Sequence, residues 1–365
     1  MYKILISGYY GFNNIGDESI LKAVIDNLHE KLEGIEITVL SQNPASTAEK
    51  HGVRSADRRS ARAILAEIKR CDLLISGGGS LLQDVTSRRS IAYYLLIMRA
   101  ALFMGKKVLI YSQGIGPINS KFNRKLTARV LGKVDGIVVR DDSSKELLVE
   151  IGIDPASITV TADPVLRVKP VSAEKGREIL ENEGFFKNAE VPAVGFAIKG
   201  RKEDEEFIGE LCDAMERLLS KHGAQIVLIP FHFSEDMPLI EEIERRFAGK
   251  VFAVRHKYLT EEMLSIIGNM DVLVGVRLHA LIHAAIMDVS MIAVSYDPKI
   301  NSFMHTVGMK AMCSIYDFTG EFFMEEFDRV IGGGEKTRKK VQAKIKELIL
   351  KLESNEEIIK KLMEK

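Results

Sequence analysis

The fold is decided by the stretch Asp271-Val-Leu-Val-Gly-Val276, which runs through Arg277, Leu278 and His279 into Ala280-Leu-Ile-His-Ala-Ala-Ile-Met287. The apolar run is typical of a buried strand, and the last part favours a helix. In an open α/β sheet, ligands bind beyond the carboxyl ends of the strands, where helix N-termini favour anions. Arginine grips phosphates or carboxylates, and histidine moves protons near neutral pH. The stretch therefore predicts an enzyme that acts on a small anionic substrate.

The composition is that of an ordinary globular protein of more than one domain. The chain has 365 residues, 46% hydrophobic and 28% charged, and its 51 basic and 51 acidic side chains cancel. This balance argues against a nucleic-acid partner. The chain opens on a short apolar run that predicts a first strand, and it contains no run long enough to span a bilayer. Three isolated cysteines, Cys71, Cys212 and Cys313, favour a cytoplasmic protein in which each is a small buried residue.

Short β-branched runs alternate with longer amphipathic runs along the whole chain, which predicts βαβ units and parallel sheets. Predicted strands are 3–7, 36–40, 72–76, 107–111, 136–140, 158–160, 194–198, 225–229, 251–254, 272–276 and 291–295. Predicted helices are 17–30, 56–69, 90–104, 121–131, 143–151, 204–222, 239–247, 260–269, 279–287 and 300–307. The fold class is α/β, with two doubly wound, Rossmann-like domains facing across a cleft.

The predicted domains are 1–168, 169–334 and a C-terminal helix over 335–365 that packs back on them. The linker Asp163-Pro-Val-Leu-Arg-Val-Lys-Pro170 contains the first boundary. The Lys-rich face of the last helix is interpreted as a solvated face, with contact to an anionic membrane surface as the alternative.

Loops that follow the strands of the first domain carry further candidates. Asn14 or Asp17 is expected to cap the first predicted helix, and Asp142 or Ser143 is expected to cap the helix after Arg140. The glycines of Ser76-Gly-Gly-Gly79 allow close approach of the backbone, either by a ligand or by a neighbouring loop. Gln113 could hydrogen-bond a sugar hydroxyl. Taken alone, Arg140 favours an ion pair with the acids that follow it.

In the second domain, His232 and Lys299 follow strands and could face the cleft. His279 and His283 share a helix face, but Ala280 stands where a zinc protease motif has glutamate, so no metal site is predicted. His283 is expected to be a structural histidine.

Together these loops resemble the polysaccharide pyruvyl transferase family. The resemblance rests on motifs in both halves of the chain: Gly8-x-x-Gly11-x-x-Asn14-x-Gly16-Asp17-Glu18, Ser76-Gly-Gly-Gly79, Gln113-Gly-Ile-Gly-Pro117, Val139-Arg140-Asp141 and Gly275-Val-Arg277-Leu-His279. Within the family, the sequence is most similar to bacterial enzymes that pyruvylate secondary cell wall polysaccharide.

The resemblance implies a fold like that of GT-B glycosyltransferases and transfer of pyruvate from phosphoenolpyruvate, as a ketal, to two hydroxyls of a sugar. The implied acceptor is N-acetylmannosamine, at its 4- and 6-hydroxyls, in a lipid-linked disaccharide at the inner membrane face. The implied site residues are His279 for catalysis, Arg140, Arg277, Leu278 and Lys299 for the donor, and Asn14, Asp17, Gln83 and Gln113 for the acceptor. No cofactor and no metal are expected, since phosphoenolpyruvate is a co-substrate.

Two alternatives remain open on the sequence. One is a GT-B glycosyltransferase that uses a nucleotide sugar. The other is a non-catalytic protein that binds a sugar or an anion on the same fold.

Overall fold

A computed structural model describes residues 1–85, 88–199 and 204–364, without the side chains of Arg88 and Arg89. The chain forms two compact units. The first unit comprises Met1–Arg167 together with the chain from Leu348 onward, and the second unit is Val168–Glu347. Each unit is a parallel sheet covered by helices, as the alternating pattern predicts.

The sheet of the first unit has seven parallel strands in the order β3-β2-β1-β4-β5-β6-β7. Their bounds are β1 Tyr2–Ser7, β2 Ile35–Ser41, β3 Arg54–Asp57, β4 Leu73–Gly77, β5 Lys107–Gln113, β6 Gly136–Val139 and β7 Ile158–Val160. The helices between them are α1 Ile15–Lys31, α2 Pro44–His51, α3 Ala61–Arg70, α4 Arg88–Phe103, α5 Lys121–Leu131 and α6 Asp142–Glu150. The strand order reverses between β1 and β4, which is where open α/β sheets bind ligands.

The second unit repeats this design with the strand order β10-β9-β8-β11-β12-β13. The strands are β8 Ala193–Ala197, β9 Gln225–Leu228, β10 Val251–Ala253, β11 Val272–Gly275, β12 Ser290–Ser295 and β13 Cys313–Ser314. The helices after residue 168 are α7 Ala173–Asn182, α8 Glu205–His222, α9 Phe233–Phe247, α10 Thr260–Ile267, α11 Leu278–Ile286, α12 Pro298–Thr306, α13 Gly320–Lys351 and α14 Glu353–Glu364. The order reverses between β8 and β11.

The central strands are apolar throughout because helices cover both faces of each sheet. All residues of β4, β8 and β11 are buried. Close packing is visible at Gly275, the last residue of β11, where an added Cβ would stand 2.6 Å from a methyl carbon of Leu281. A side chain at 275 would therefore force the Leu281 side chain to move from its place against β11.

Most predicted elements are present, and the differences have local reasons. The strand β3 occupies 54–57, where the predicted helix 56–69 begins, and α2 and β13 were not predicted. The helix α9 begins at Phe233 rather than at 239, with Pro238 in its second turn, where a proline is usually disfavoured.

The predicted tail helix over 335–365 is also different. It consists of the end of α13, which begins at Gly320, and the separate helix α14, with Leu352 between them. Residue 365 lies outside the described residues. Within the first unit, the tail is held by a buried bond from Asn355 Nδ2 to Ser112 Oγ at 2.8 Å and by an ion pair between Arg167 and Glu356. None of the described helices is long and apolar enough to cross a membrane.

Candidate active site

The junction between β11 and α11 lies at the carboxyl edge of the second unit's sheet, beside the point where its strand order reverses. Arg277 is the N-cap residue of α11, with extended backbone. No hydrogen bond from the side chain of this N-cap residue closes the first turn of α11. Leu278 and His279 are the first two helical residues, and both are half-buried. A helix start without a side-chain cap offers backbone N–H groups and a positive dipole to an anion.

Two acidic side chains from the start of α9 hold Arg277. Its Nη2 is paired with Asp236, and it lies 3.4 Å from an oxygen of Glu235. Asp236 is almost completely buried, and its Oδ2 also accepts hydrogen bonds from the N–H groups of Phe231, at 3.0 Å, and His232, at 2.7 Å. The carboxylate therefore fixes one edge of the guanidinium. The Nε of Arg277 is buried and has no hydrogen-bond partner among the described residues.

Other cationic and aromatic groups follow the neighbouring strands. Lys199, after β8, lies with its Nζ 4.2 Å from the centre of the Tyr296 ring, after β12. Burial raises the pKa of Tyr296 to about 12, against the opposing effect of Arg277, so its hydroxyl keeps its proton at neutral pH. Lys299 lies in the first turn of α12, with Nζ 3.6 Å from Asp297. This edge thus carries Arg277, His279 and two lysines on three adjacent strands.

The two remaining histidines of this region have different surroundings. His232 precedes α9, and burial holds its pKa below the ordinary value of 6.5, although Glu235 opposes this shift. His283 is fully buried on α11, and its ring lies 5.3 Å from the ring of Phe231. His283 is thus a core residue, as the sequence predicts.

In the first unit, Arg140 follows β6 and is buried among oxygen atoms. Its Nη1 lies 2.8 Å from Asp163, its Nε lies 3.5 Å from Asp141, and its Nη2 donates to Ser80 Oγ at 3.4 Å. Burial disfavours the charged form of Arg140, but the two carboxylates outweigh this effect and raise the pKa of the guanidinium. The ion pair with Asp141 that the sequence favours is therefore present.

The predicted acceptor residues lie near the carboxyl edge of the first sheet. Asn14 caps α1 by accepting a hydrogen bond from the Gly16 N–H at 3.0 Å. Asp17, in the first turn of α1, lies so close to Gly79 that an added Cβ there would be 2.7 Å from its Oδ1. Gln83 accepts a hydrogen bond from the N–H of Val85 at 2.8 Å.

Gln113 differs from these three because it ends β5 with a completely buried amide. Neither amide atom has a hydrogen-bond partner among the residues that the structure describes. Unpaired buried amides are costly, so a water or a ligand is the expected partner.

Several details of the first unit differ from the sequence analysis or complete it. Asp141, rather than Asp142 or Ser143, caps α6 by accepting a hydrogen bond from the Ser144 N–H at 2.8 Å. Gly78 and Gly79 have positive φ angles and pack against neighbouring segments, which was one of the two interpretations of the glycine run. Cys71 and Cys212 are buried as expected, whereas Cys313 is half-buried.

Asp236 and Glu235, which orient Arg277, were not predicted from the sequence. The predicted helix begins at 239, which leaves both acids in a loop. An available signal was the acidic pair Glu235-Asp236 directly after a predicted strand and His232, because acidic residues are common in the first turn of a helix. In the described ranges, no group of three or more His, Cys, Asp and Glu side chains could hold a metal ion.

Both units have the doubly wound architecture of the GT-B class, and solved structures of that class are similar over nearly the whole chain. HepE of Anabaena, in complex with UDP and glucose, has a TM-score of 0.66 at 10% identity, with both chains fully covered. A glycosyltransferase from Rickettsia africae has a TM-score of 0.65 at 14% identity and covers 99% of this chain and 98% of its own. The UDP-GlcNAc 2-epimerase of Neisseria meningitidis has a TM-score of 0.62 at 12% identity, covering 96% of this chain and all of its own.

Sequence comparison adds the family. The family model for polysaccharide pyruvyl transferase matches residues 14–298, and the chain belongs to this family. A curated relative is the amylovoran biosynthesis protein AmsJ of Erwinia amylovora, 20% identical over 86% of this chain and 88% of its own length. The matched range begins at Asn14, the cap of α1, and ends at Pro298, the first residue of α12, so it contains the Arg277–His279 junction.

Proposed function

We propose that the protein transfers pyruvate from phosphoenolpyruvate to a sugar as a cyclic ketal. The observation that supports this best is the start of α11, where Arg277, His279 and a helix N-terminus without a side-chain cap meet at the carboxyl edge of a sheet. Phosphoenolpyruvate carries a phosphate and a carboxylate, and this junction offers the groups that bind such oxygens.

In this proposal, the donor is bound mainly by the second unit. The backbone N–H groups at Leu278 and His279 and the Nε edge of Arg277 receive one anionic group. Lys299, in the first turn of α12, adds positive charge. Arg140 is the further donor candidate that the family resemblance implies. Each arginine pairs with two carboxylates, but Arg277 has the stronger case. All three guanidinium nitrogens of Arg140 have partners, whereas the Nε of Arg277 has none among the described residues.

The chemistry requires one proton transfer that histidine is suited to make. Protonation of the methylene carbon of phosphoenolpyruvate generates a cation at the adjacent carbon, which the enol oxygen stabilises. One sugar hydroxyl attacks this carbon, the second hydroxyl displaces phosphate, and both hydroxyl protons are released. His279 supplies the first proton or accepts one from a hydroxyl, which is worth about 10²–10⁴ in rate.

For the acceptor, we propose the sugar that the family resemblance implies, an N-acetylmannosamine of a lipid-linked cell wall precursor at the cytoplasmic membrane face. Asn14, Asp17, Gln83 and Gln113 are the candidate contacts. Gln113 is best supported, because its buried amide lacks partners within the described residues. A sugar hydroxyl can supply both a donor and an acceptor to it.

The test is incubation of the purified protein with phosphoenolpyruvate and a lipid-linked disaccharide that contains N-acetylmannosamine. We expect release of phosphate and a mass gain on the acceptor equal to one pyruvate ketal. His279→Ala should lose this turnover by about 10²–10⁴ while it keeps donor affinity. His305→Ala, an exposed histidine at the end of α12, is the matched control.

Two outcomes would contradict the proposal. Release of a nucleoside diphosphate from a sugar nucleotide would identify a glycosyltransferase, the activity named for the similar Rickettsia structure. Binding of donor and sugar without turnover, under conditions in which the folded protein is stable, would indicate a non-catalytic binding protein.

A further inference from the structure

One segment of the first unit has a charge balance unlike that of the whole chain. Residues 85–134 contain ten Lys and Arg and no Asp or Glu, although the chain as a whole has equal numbers of both signs. This segment includes the helices α4 and α5. Blocks of one sign on a folded protein concentrate the electrostatic potential at one surface and mark a partner of the opposite sign.

The two helices present the same pattern to solvent. Leu96, Arg99 and Phe103 of α4 are exposed and spaced at i, i+3 and i+7, so they lie on one helix face. In α5, Phe122, Lys125 and Arg129 are exposed with the same spacing. We name these six residues the basic-aromatic face.

Both halves of this face lie on the same side of the sheet. The strands β4, β5 and β6 are parallel neighbours, and the crossovers that join them are α4 and α5. Right-handed crossovers between sequential neighbouring strands place their helices on one side. The two helices also pack against each other. Their solvent-facing residues therefore form one surface.

The apolar side chains of this surface are unusually exposed for a folded protein. Phe103 is 91% exposed, Phe122 is 73% exposed and Leu96 is 61% exposed. The cations beside them, Arg99, Lys125 and Arg129, form no ion pair within the described part of the chain. Exposed apolar side chains have a poor environment in water, and a patch of them rimmed by polar residues marks an interaction surface.

We propose that the basic-aromatic face docks the first unit on the surface of an anionic lipid bilayer. Phenylalanine and leucine side chains insert at the boundary between headgroups and acyl chains, while lysine and arginine hold the lipid phosphates. The cations with their long apolar stems suit the same boundary. The absence of carboxylates from 85–134 removes the repulsion that a single exposed acid would add.

Charge complementarity favours a bilayer over the other partners. A nucleic-acid duplex or an acidic protein would use the cations but would give no reason for three large apolar side chains in the open. A second copy of the chain would bring together two surfaces with the same positive charge, which is unfavourable at low salt. An anionic membrane provides phosphates for the cations and an apolar boundary for the exposed phenylalanine and leucine side chains. The inference goes beyond the proposed function and needs neither phosphoenolpyruvate nor an acceptor.

The test is sedimentation of the full chain with vesicles of phosphatidylcholine, with and without phosphatidylglycerol. We expect binding to the anionic vesicles only, and weaker binding as salt is added. The double change Phe103→Ser/Phe122→Ser should abolish binding even at low salt. The double change Lys125→Gln/Arg129→Gln should reduce the binding constant about thirtyfold, at about fivefold per cation removed.

Two control variants make the test specific. Tyr316→Ser removes an aromatic ring of the second unit that is 86% exposed, and Lys340→Gln/Lys346→Gln removes two exposed cations of the tail helix α13. Both controls should bind as the wild type does. All the changed side chains are exposed, so circular dichroism and the thermal midpoint should be unchanged in every variant.

The proposal is overturned if the wild type ignores anionic vesicles, or if the two serine changes leave binding intact. Equal losses in the tail variant would assign the contact to α13 instead. Sedimentation velocity without lipid tests the remaining occupant: a dimer that the serine changes convert to monomers would make this face a contact between copies. Failure of pyruvyl transfer in the separate assay would leave the vesicle result untouched.

Discussion

The two strand-end arginines follow the same sequence pattern and each pairs with two carboxylates, but the helix starts beside them differ. Arg140 follows β6 and Arg277 follows β11, each directly before a helix. After Arg140, Asp141 caps the helix and pairs with the arginine, and Asp163 completes the neutralisation. At α11, the arginine itself is the N-cap residue, and no hydrogen bond from its side chain closes the first turn. A helix start without a side-chain cap leaves its N–H groups and positive dipole to an anion, whereas at α6 the Asp141 carboxylate already takes that position.

The largest expected effect is on stability, for Arg140→Ala. Removal of the guanidinium leaves the carboxylate of Asp163 buried without its ion-pair partner at 2.8 Å. Loss of one partner from a buried ion pair costs about 3–5 kcal/mol. Urea unfolding should show this loss in the free energy of unfolding. Arg129→Ala, which removes an exposed cation, is the control and should change it little.

The comparison would fail if Arg140→Ala unfolded at the same urea concentration as the wild type. The comparison between the two arginines would also change if folded Arg140→Ala lost affinity for phosphoenolpyruvate as strongly as a variant of Arg277. Arg140 would then be a second donor arginine, as the family resemblance implies.

The next effect is on turnover, for Arg277→Lys. Lysine keeps the positive charge beside Asp236 but lacks the Nε edge that the proposal assigns to the donor. We expect kcat/KM for phosphoenolpyruvate to fall about 10²-fold, the cost of one lost donor to a reacting anion. The matched control is Arg255→Lys, an exposed arginine of the same unit that pairs with Glu244. Wild-type turnover at low donor concentration in Arg277→Lys would refute the donor site.

A smaller effect tests the cap that distinguishes the two junctions. Asp141→Ala removes the hydrogen bonds to the N–H and Oγ of Ser144 and the contact with Arg140. The free energy of unfolding should fall by about 1–2 kcal/mol, the usual cost of a lost N-cap. Asp141→Asn keeps a capping oxygen and should recover most of the lost free energy of unfolding. The part that it does not recover measures the contribution of the Asp141 charge. If both variants lose the same amount, the ion pair matters and the cap does not.

The smallest effect concerns pH and His232. Burial lowers the pKa of this histidine below its ordinary value of 6.5, so the unfolded chain binds its proton more readily than the folded protein does. His232 therefore contributes stability that is present above pH 6.5 and is lost as the pH falls toward its lowered pKa. Urea unfolding at pH 7.5 and at pH 5.5 should show a smaller difference for His232→Gln than for the wild type. An identical pH dependence would mean that the histidine titrates normally.

The sequence predicted the doubly wound fold because the strands of a covered parallel sheet are local apolar runs. The predicted range 121–131 coincides with α5, and 158–160 coincides with β7. The short strand β3 and the helix α2 were missed because their residues are polar. The assignment of β3 depends on pairing with β2, which no local period records.

The sequence predicted which residues lie at the strand–helix junction of the candidate site, but only part of their electrostatic surroundings. Arg277, Leu278 and His279 lie at a strand–helix junction because a buried strand and a helix follow one another in sequence, which the sequence alone determined. Only the tertiary structure decided their surroundings. Asp236 reaches Arg277 from α9, and Asp163 reaches Arg140 from beyond β7, across separations of 41 and 23 residues. Charges interact through space, so folding of the sheets decides which carboxylates pair with each arginine.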